Sequence, residues 1–235
     1  MPQLRAPVLL RLDHNLKAAA DPRHRETVRD HFASNVDRFY GVRIPNIRKL
    51  AAEAVAADPL PPEQRWQFCD ELAATGIFEH KIAAFHFARL GRHHWTEKEL
   101  PRFARWLHEA VDDWMDADDL CIRVLGEFFL RFPAHAASVL EWSRLPNPWS
   151  RRGSAVSLIP SARKGAQWEL VAAVCELILD DPEPLVAKAC GWLLKVASRP
   201  HPAKVRDFVA KAGDRMPAPV RRTALEKLKG DGWPR

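Results

Sequence analysis

Apolar residues recur at every third or fourth position along nearly the whole chain, and this spacing restricts the fold more than any other feature. Leu50, Ala51, Ala54 and Val55 follow it, as do Ile82, Phe85 and Leu90. So do Phe103, Leu107 and Val111, and then Leu170, Val174, Leu177 and Ile178. One apolar stripe at this period belongs to an amphipathic helix. Strand signals are nearly absent: there is one tyrosine, few β-branched residues alternate with polar ones, and no Asn-Gly pair marks a hairpin. Nineteen prolines would break helices if scattered, but many stand where helices should start: Pro22, Pro45, Pro62, Pro133, Pro148, Pro184, Pro202 and Pro217. Proline is tolerated in a first helical turn, where its missing N–H has no intrahelical partner. Asp21-Pro22, Asn147-Pro148 and Thr96-x-x-Glu99 read as further helix starts. The breaks imply about a dozen helices of roughly 11–17 residues with short connections. Each helix pair has an apolar face that it cannot bury alone. The expected fold is therefore all-α: an α-solenoid of stacked antiparallel helix pairs, HEAT-like or armadillo-like, with a concave basic face. It is expected as a single domain over residues 1–235, with an N-terminal helix over 1–24 and a tail over 230–235.

The longest apolar stretches, Leu170 to Cys175 and Leu177 to Leu179, fall far short of the roughly 18–20 residues of a membrane span. Met1 to Leu16 contains Asp13 and His14 and lacks a small-residue cleavage site, so it does not read as a signal peptide. Cys69, Cys121, Cys175 and Cys190 form no C-x-x-C pair and lie in apolar helical stripes. Buried free thiols in a reducing cytoplasm are expected. His93-His94 stands beside no carboxylate cluster, and neither a metal nor a cofactor is expected.

The net charge of +6 is unevenly placed. Residues 146–235 hold 16 Lys/Arg against 9 Asp/Glu, while residues 1–145 hold 20 against 21. A basic half beside a neutral one is the footprint of a polyanion-binding surface, or else a solvated, solubilising one.

Trp114, Trp149 and Trp192 are 35 and 43 residues apart, near the roughly 40–47-residue period of HEAT or armadillo units. A charge follows each about one turn later: Asp118 at i+4, Arg152 at i+3 and Lys195 at i+3. Ring and charge then share a helix face. Three segments carry these pairs. Asp112, Asp113, Asp116, Asp118 and Asp119 crowd five carboxylates into eight residues. Helix capping accounts for Asp112, Asp113 and Asp116; Asp118, beside an indole at the edge of a core, suits stabilisation of a cation. Arg151 and Arg152 oppose the dipole of a helix start, so either an anion such as phosphate or a neighbouring carboxylate should compensate them. In the third segment, Gly191 in mid-helix costs about 1 kcal/mol relative to alanine. That cost points to close packing or to space beside Trp192. Trp192 is either a core residue or a ring facing DNA, flanked by Lys188 and Lys195 for phosphate contacts.

The chain resembles the bacterial AlkD-type DNA alkylation-repair proteins, DNA glycosylases built from HEAT-like repeats. The matching residues are Phe39-Tyr40-Gly41-Val42-x-x-Pro45-x-x-Arg48-Lys49, Trp114-x-x-x-Asp118, Trp149-Ser150-Arg151-Arg152, and Gly191-Trp192-Leu193-Leu194-Lys195. The ending Met216-Pro217…Arg222 to Leu228 matches too, and the resemblance runs from about residue 25 to 229. It implies that Asp118 is the catalytic aspartate, which stabilises the sugar cation and positions water. Trp114 and Trp192 would contact the deoxyribose of the lesion, and Arg152 the DNA backbone. Lys195 stands where the family usually has arginine, which keeps the charge and loses the bidentate fork.

The implied activity is hydrolysis of the N-glycosidic bond of cationic N3- or N7-alkylated purines in double-stranded DNA by a monomer. A carboxylate and two indole faces suit the oxocarbenium-like charge that develops. Two other functions fit parts of the sequence: a non-catalytic HEAT-like binder of damaged or branched DNA, and a protein-binding scaffold. Asp118 and both tryptophans argue against the first, and the basic C-terminal part against the second.

Overall fold

Asp21 illustrates how local chemistry starts these helices. Its Oδ1 accepts the backbone N–H groups of Arg23 (3.0 Å) and His24 (3.2 Å), with Pro22 at the first helical position. These are N–H groups that a helix start otherwise leaves unpaired. Asn147 accepts the N–H of Trp149 (2.9 Å) in the same way. Thr96 and Glu99 form a reciprocal capping box that opens a 3-10 turn. Pro22, Pro62, Pro148, Pro184 and Pro202 are first helical residues, Pro45 is a second, Pro133 opens a 3-10 turn and Pro217 is an N-cap.

The computed structural model describes residues 7–32, 38–57 and 61–228. It is all-α: among these residues every regular element is helical. The chain forms two compact units, Met1–Val124 and Leu125–Arg235. The first contains α1 (Pro7–Ala18), α2 (Pro22–Arg29), α3 (Ile44–Ala57), α4 (Pro62–Ala74), α5 (Phe78–Leu90), α6 (Leu100–Arg105) and α7 (Trp114–Leu120). The second contains α8 (Gly126–Arg131), α9 (Val139–Trp142), α10 (Pro148–Val156), α11 (Ile159–Arg163), α12 (Trp168–Ile178), α13 (Pro184–Ala197), α14 (Pro202–Ala212) and α15 (Ala218–Ala224).

Two expectations need correction. In place of one helix over 1–24, α1 ends at Ala18 and Asp21-Pro22 starts α2. Residues 1–6 and the tail 230–235 lie outside the described residues. The described helices are also shorter and more numerous than expected, with 4 to 14 residues each. Phe103, Leu107 and Val111 show why. After α6 the chain widens into a π-helical turn over Trp106–Ala110, closed by the Val111 N–H donating to the Trp106 carbonyl (3.0 Å). The apolar stripe continues through it, so apolar spacing does not separate α from π geometry.

In the first unit α5 lies at the centre. It packs against α3, α4 and α7, and Ile82, Ala83, Ala84 and Phe85 are fully buried. Phe85 joins Trp66, Trp95, Phe103 and Trp106 in an aromatic cluster with neighbouring centroids 5.1–6.4 Å apart. Three consecutive polar residues at its start, Glu79, His80 and Lys81, are buried as well. Glu79 accepts the backbone N–H groups of Tyr40, Gly41 and Val42 (2.9–3.1 Å). Gly41 has φ +98°, and a side chain there would run into Arg25. His80 bonds Asp13 of α1 (3.0 Å), and Lys81 pairs with Asp112 and Asp116.

In the second unit α13 is central, packed by α10, α11, α12 and α15. Gly191 permits its close approach to α15. An added Cβ would lie 2.9 Å from the Val220 carbonyl oxygen and 3.2 Å from the Thr223 Cβ. Gly191→Ala should therefore destabilise the fold by about 1–3 kcal/mol despite alanine's better helix propensity. Urea unfolding checks this; a stabilised variant would show that the interface yields. All four cysteines are buried and free.

Candidate nucleic-acid interface

In the first unit the candidate residues are built on the start of α7. Asp113 is its N-cap and accepts the Met115 N–H (3.0 Å), while the Asp113 N–H donates to Asp116 Oδ1 (3.1 Å). This capping box makes Trp114 the first helical residue and puts Asp118 one turn on. Both are half-buried, on the face away from the buried Asp116, Ala117 and Leu120. The Trp114 indole N–H donates to the His31 carbonyl (2.8 Å), which fixes the ring's orientation.

The carboxylates around Asp118 divide by partner. Asp113 and Asp116 cap the helix, as the sequence suggested. Asp112 does not cap; it shares Lys81 with Asp116. Asp116 is fully buried, and burial raises its pKa to about 6 against the pull of Lys81. Asp119 pairs with Arg48 and, at 3.4 Å, with Arg123; burial raises its pKa. Sequence reasoning missed Lys81 and Arg48 as partners of this cluster. The available signal was a lysine following Glu79 and His80 at the start of an otherwise apolar helix.

The arginines near Asp119 also act on His86 of α5. Burial and the charges of Arg48, Arg123 and Arg89 lower its pKa to about 4. Between pH 6.5 and about 4 the folded state thus binds fewer protons at His86 than the unfolded chain. Its contribution makes stability fall as pH drops through that window. Replacing His86 by glutamine should flatten this acid limb in urea titrations at pH 7 and pH 4.5. An equal acid loss in both proteins would remove His86 from the account.

In the second unit, α10 starts at Pro148, and Trp149 is half-buried in its first turn. Arg151 pairs bidentately with Asp181 (Nε 2.7 Å, Nη2 3.1 Å) and donates through Nη1 to the carbonyls of Leu145 and Pro146. Of the two partners open in the sequence, the structure holds the neighbouring carboxylate for Arg151. Arg152 is only 5% exposed, and its Nη1 donates to the Leu185 carbonyl (2.5 Å), which ties α10 to the start of α13. On α13, Lys188 is exposed, and Trp192 and Lys195 are half-buried. At i, i+4 and i+7 they lie along one face, opposite the buried Ala189, Cys190, Leu193 and Leu194. Lys195 is 26% exposed and pairs with Glu226 at 3.2 Å. Glu226 also bonds Lys227 (2.9 Å), and these two lysines lower its pKa.

A half-buried tryptophan–aspartate pair on α7 and a Lys-Trp-Lys face on α13 are thus both present. The family model described as DNA alkylation repair enzyme matches residues 12–228. The chain belongs to this family. Membership gives it a role in DNA alkylation repair, as an enzyme whose partner is DNA. The fold is similar to a solved structure described as a predicted DNA alkylation repair enzyme from Enterococcus faecalis. The TM-score is 0.76 at 16% identity, covering 90% of this chain and 97% of that one. At that identity the likeness concerns the fold alone. No match was found among curated proteins. Among the described residues, no helix is long and apolar enough to cross a membrane, and no group of three or more His, Cys, Asp or Glu is placed to hold a metal ion.

Proposed function

We propose that this DNA alkylation repair enzyme is a monofunctional glycosylase that hydrolyses the N-glycosidic bond of N3- or N7-alkylated purines in duplex DNA. The observation that carries this reading is the placement of Trp114 and Asp118 on one accessible face of α7. An alkylated purine is already cationic. As its bond to the sugar breaks, the electron pair leaves with the base, which becomes neutral, and positive charge moves to the deoxyribose. A carboxylate stabilises that charge by Coulomb attraction, and an indole face by cation–π contact. Water then adds to the anomeric carbon and releases a proton to solvent, and Asp118 is assigned as the group that orients that water. Trp192 is assigned to the sugar, with Lys188 and Lys195 assigned to backbone phosphates; Arg152, buried and bonded to the Leu185 carbonyl, is assigned instead to holding the start of α10 against α13. Arg151 and Trp149 belong to the same α10 start, where Arg151 serves by holding the turn before Pro148.

Incubating the protein with duplex DNA carrying 7-methylguanine and measuring free base tests the reading. Release above the spontaneous rate is expected. Salt-sensitive binding without release would instead favour a non-catalytic binder of damaged DNA.

A further inference from the structure

We propose that Lys81 is a positioning residue for the Trp114–Asp118 pair, acting from beneath α7 through Asp112 and Asp116. This rests on the glycosylase reading of that pair. Lys81 is 1% exposed, and its ammonium group lies between two carboxylates that flank Trp114 in the sequence. Asp116 is itself fully buried and is the member of the capping box that receives the Asp113 N–H. One lysine therefore bonds the residue two before Trp114 and the residue two after it. It fixes both sides of the first turn to α5, the most buried helix of its unit.

A buried ammonium is costly to keep charged, and a lone pair of carboxylates facing it is costly as well. A methionine or leucine in its place would fill the volume without that cost. What an apolar residue cannot do is hold two backbone points in register. The same charge offsets one of the two carboxylate charges it faces, in a cluster of five that would otherwise repel a DNA backbone beside Asp118. Displacement of a reacting group by about 1 Å can reduce a rate by about 100-fold, so a rigid first turn matters to the chemistry of its outward face.

Lys81→Met keeps the length and volume of the side chain and removes the charge. Asp13→Asn is the control: it weakens another buried polar tie to α5, the bond from Asp13 to His80, which is remote from α7 in sequence. Both variants are studied at a temperature where circular dichroism shows them folded. Lys81→Met should lower single-turnover base release by about 10-fold or more with duplex affinity within about 3-fold, while Asp13→Asn releases base at the wild-type rate. A readout independent of activity is the indole N–H resonance of Trp114, which the bond to His31 sets apart and a Trp114→Phe variant assigns. It should move in Lys81→Met and stay in Asp13→Asn. Should Lys81→Met fail to fold, Asp116→Asn keeps an acceptor for the cap and removes one carboxylate from Lys81; it should move the same resonance and slow release. Wild-type release and an unmoved indole in a folded Lys81→Met protein would overturn the proposal. If the wild type releases no base, the glycosylase reading fails, and the indole resonance alone decides whether Lys81 orders the turn.

Discussion

Asp118→Asn is expected to release 7-methylguanine from duplex DNA about 100- to 1,000-fold more slowly than wild type, the usual cost of removing one preorganised electrostatic group. Asparagine has nearly the same shape and retains an oxygen, so helix α7 should be undisturbed. What is lost is the full negative charge opposite a sugar that becomes cationic only in the transition state. An interaction made there and not with ground-state DNA lowers the rate constant and leaves affinity alone. Duplex affinity should therefore stay within a few-fold, or rise slightly as repulsion of phosphate is relieved. Single-turnover release and a binding titration at one salt concentration measure both. Equal release by the two proteins would remove Asp118 from the mechanism.

The largest stability effect is expected at Glu79. Its buried carboxylate receives the backbone N–H groups of three successive residues, Tyr40, Gly41 and Val42. Glu79→Ala leaves all three without that acceptor, at a cost of about 3–5 kcal/mol. For a protein of this size that corresponds to a drop in Tm on the order of 10 °C. Glutamine retains one acceptor oxygen and should cost about half as much. The physical reason for the carboxylate is the turn itself, which runs through Gly41 at positive φ and so cannot pair its N–H groups within a helix. Thermal melts of the two variants decide it; a loss below about 1 kcal/mol for alanine would show that water or a shifted loop replaces the carboxylate.

The helices were legible because their causes are local. Proline at the first position, Asp21, Asn147 and the Thr96–Glu99 box each act within four residues of themselves. Helix lengths were less legible, since the turn at Trp106–Ala110 preserves the apolar stripe while changing the hydrogen-bond ladder. At the site, the shared face of Trp114 and Asp118, and that of Lys188, Trp192 and Lys195, followed from helical spacing alone. The fate of Arg151 did not, because Asp181 lies thirty residues away and only packing brings it within 2.7 Å.

By itself, then, the sequence determined an all-α chain, the starts of about half of its helices and which side chains share a helix face. These depend on steric and hydrogen-bonding rules that reach no further than one turn. Tertiary structure decided the partners of the buried charges. Glu79, His80 and Lys81 look alike as a polar interruption, yet each ties α5 to a different segment, and Asp112 and Asp116 meet Lys81 only because α5 and α7 pack together. It also decided that Gly191 meets α15. Long-range pairing reflects which faces can be buried together, and that choice is made by the whole core at once.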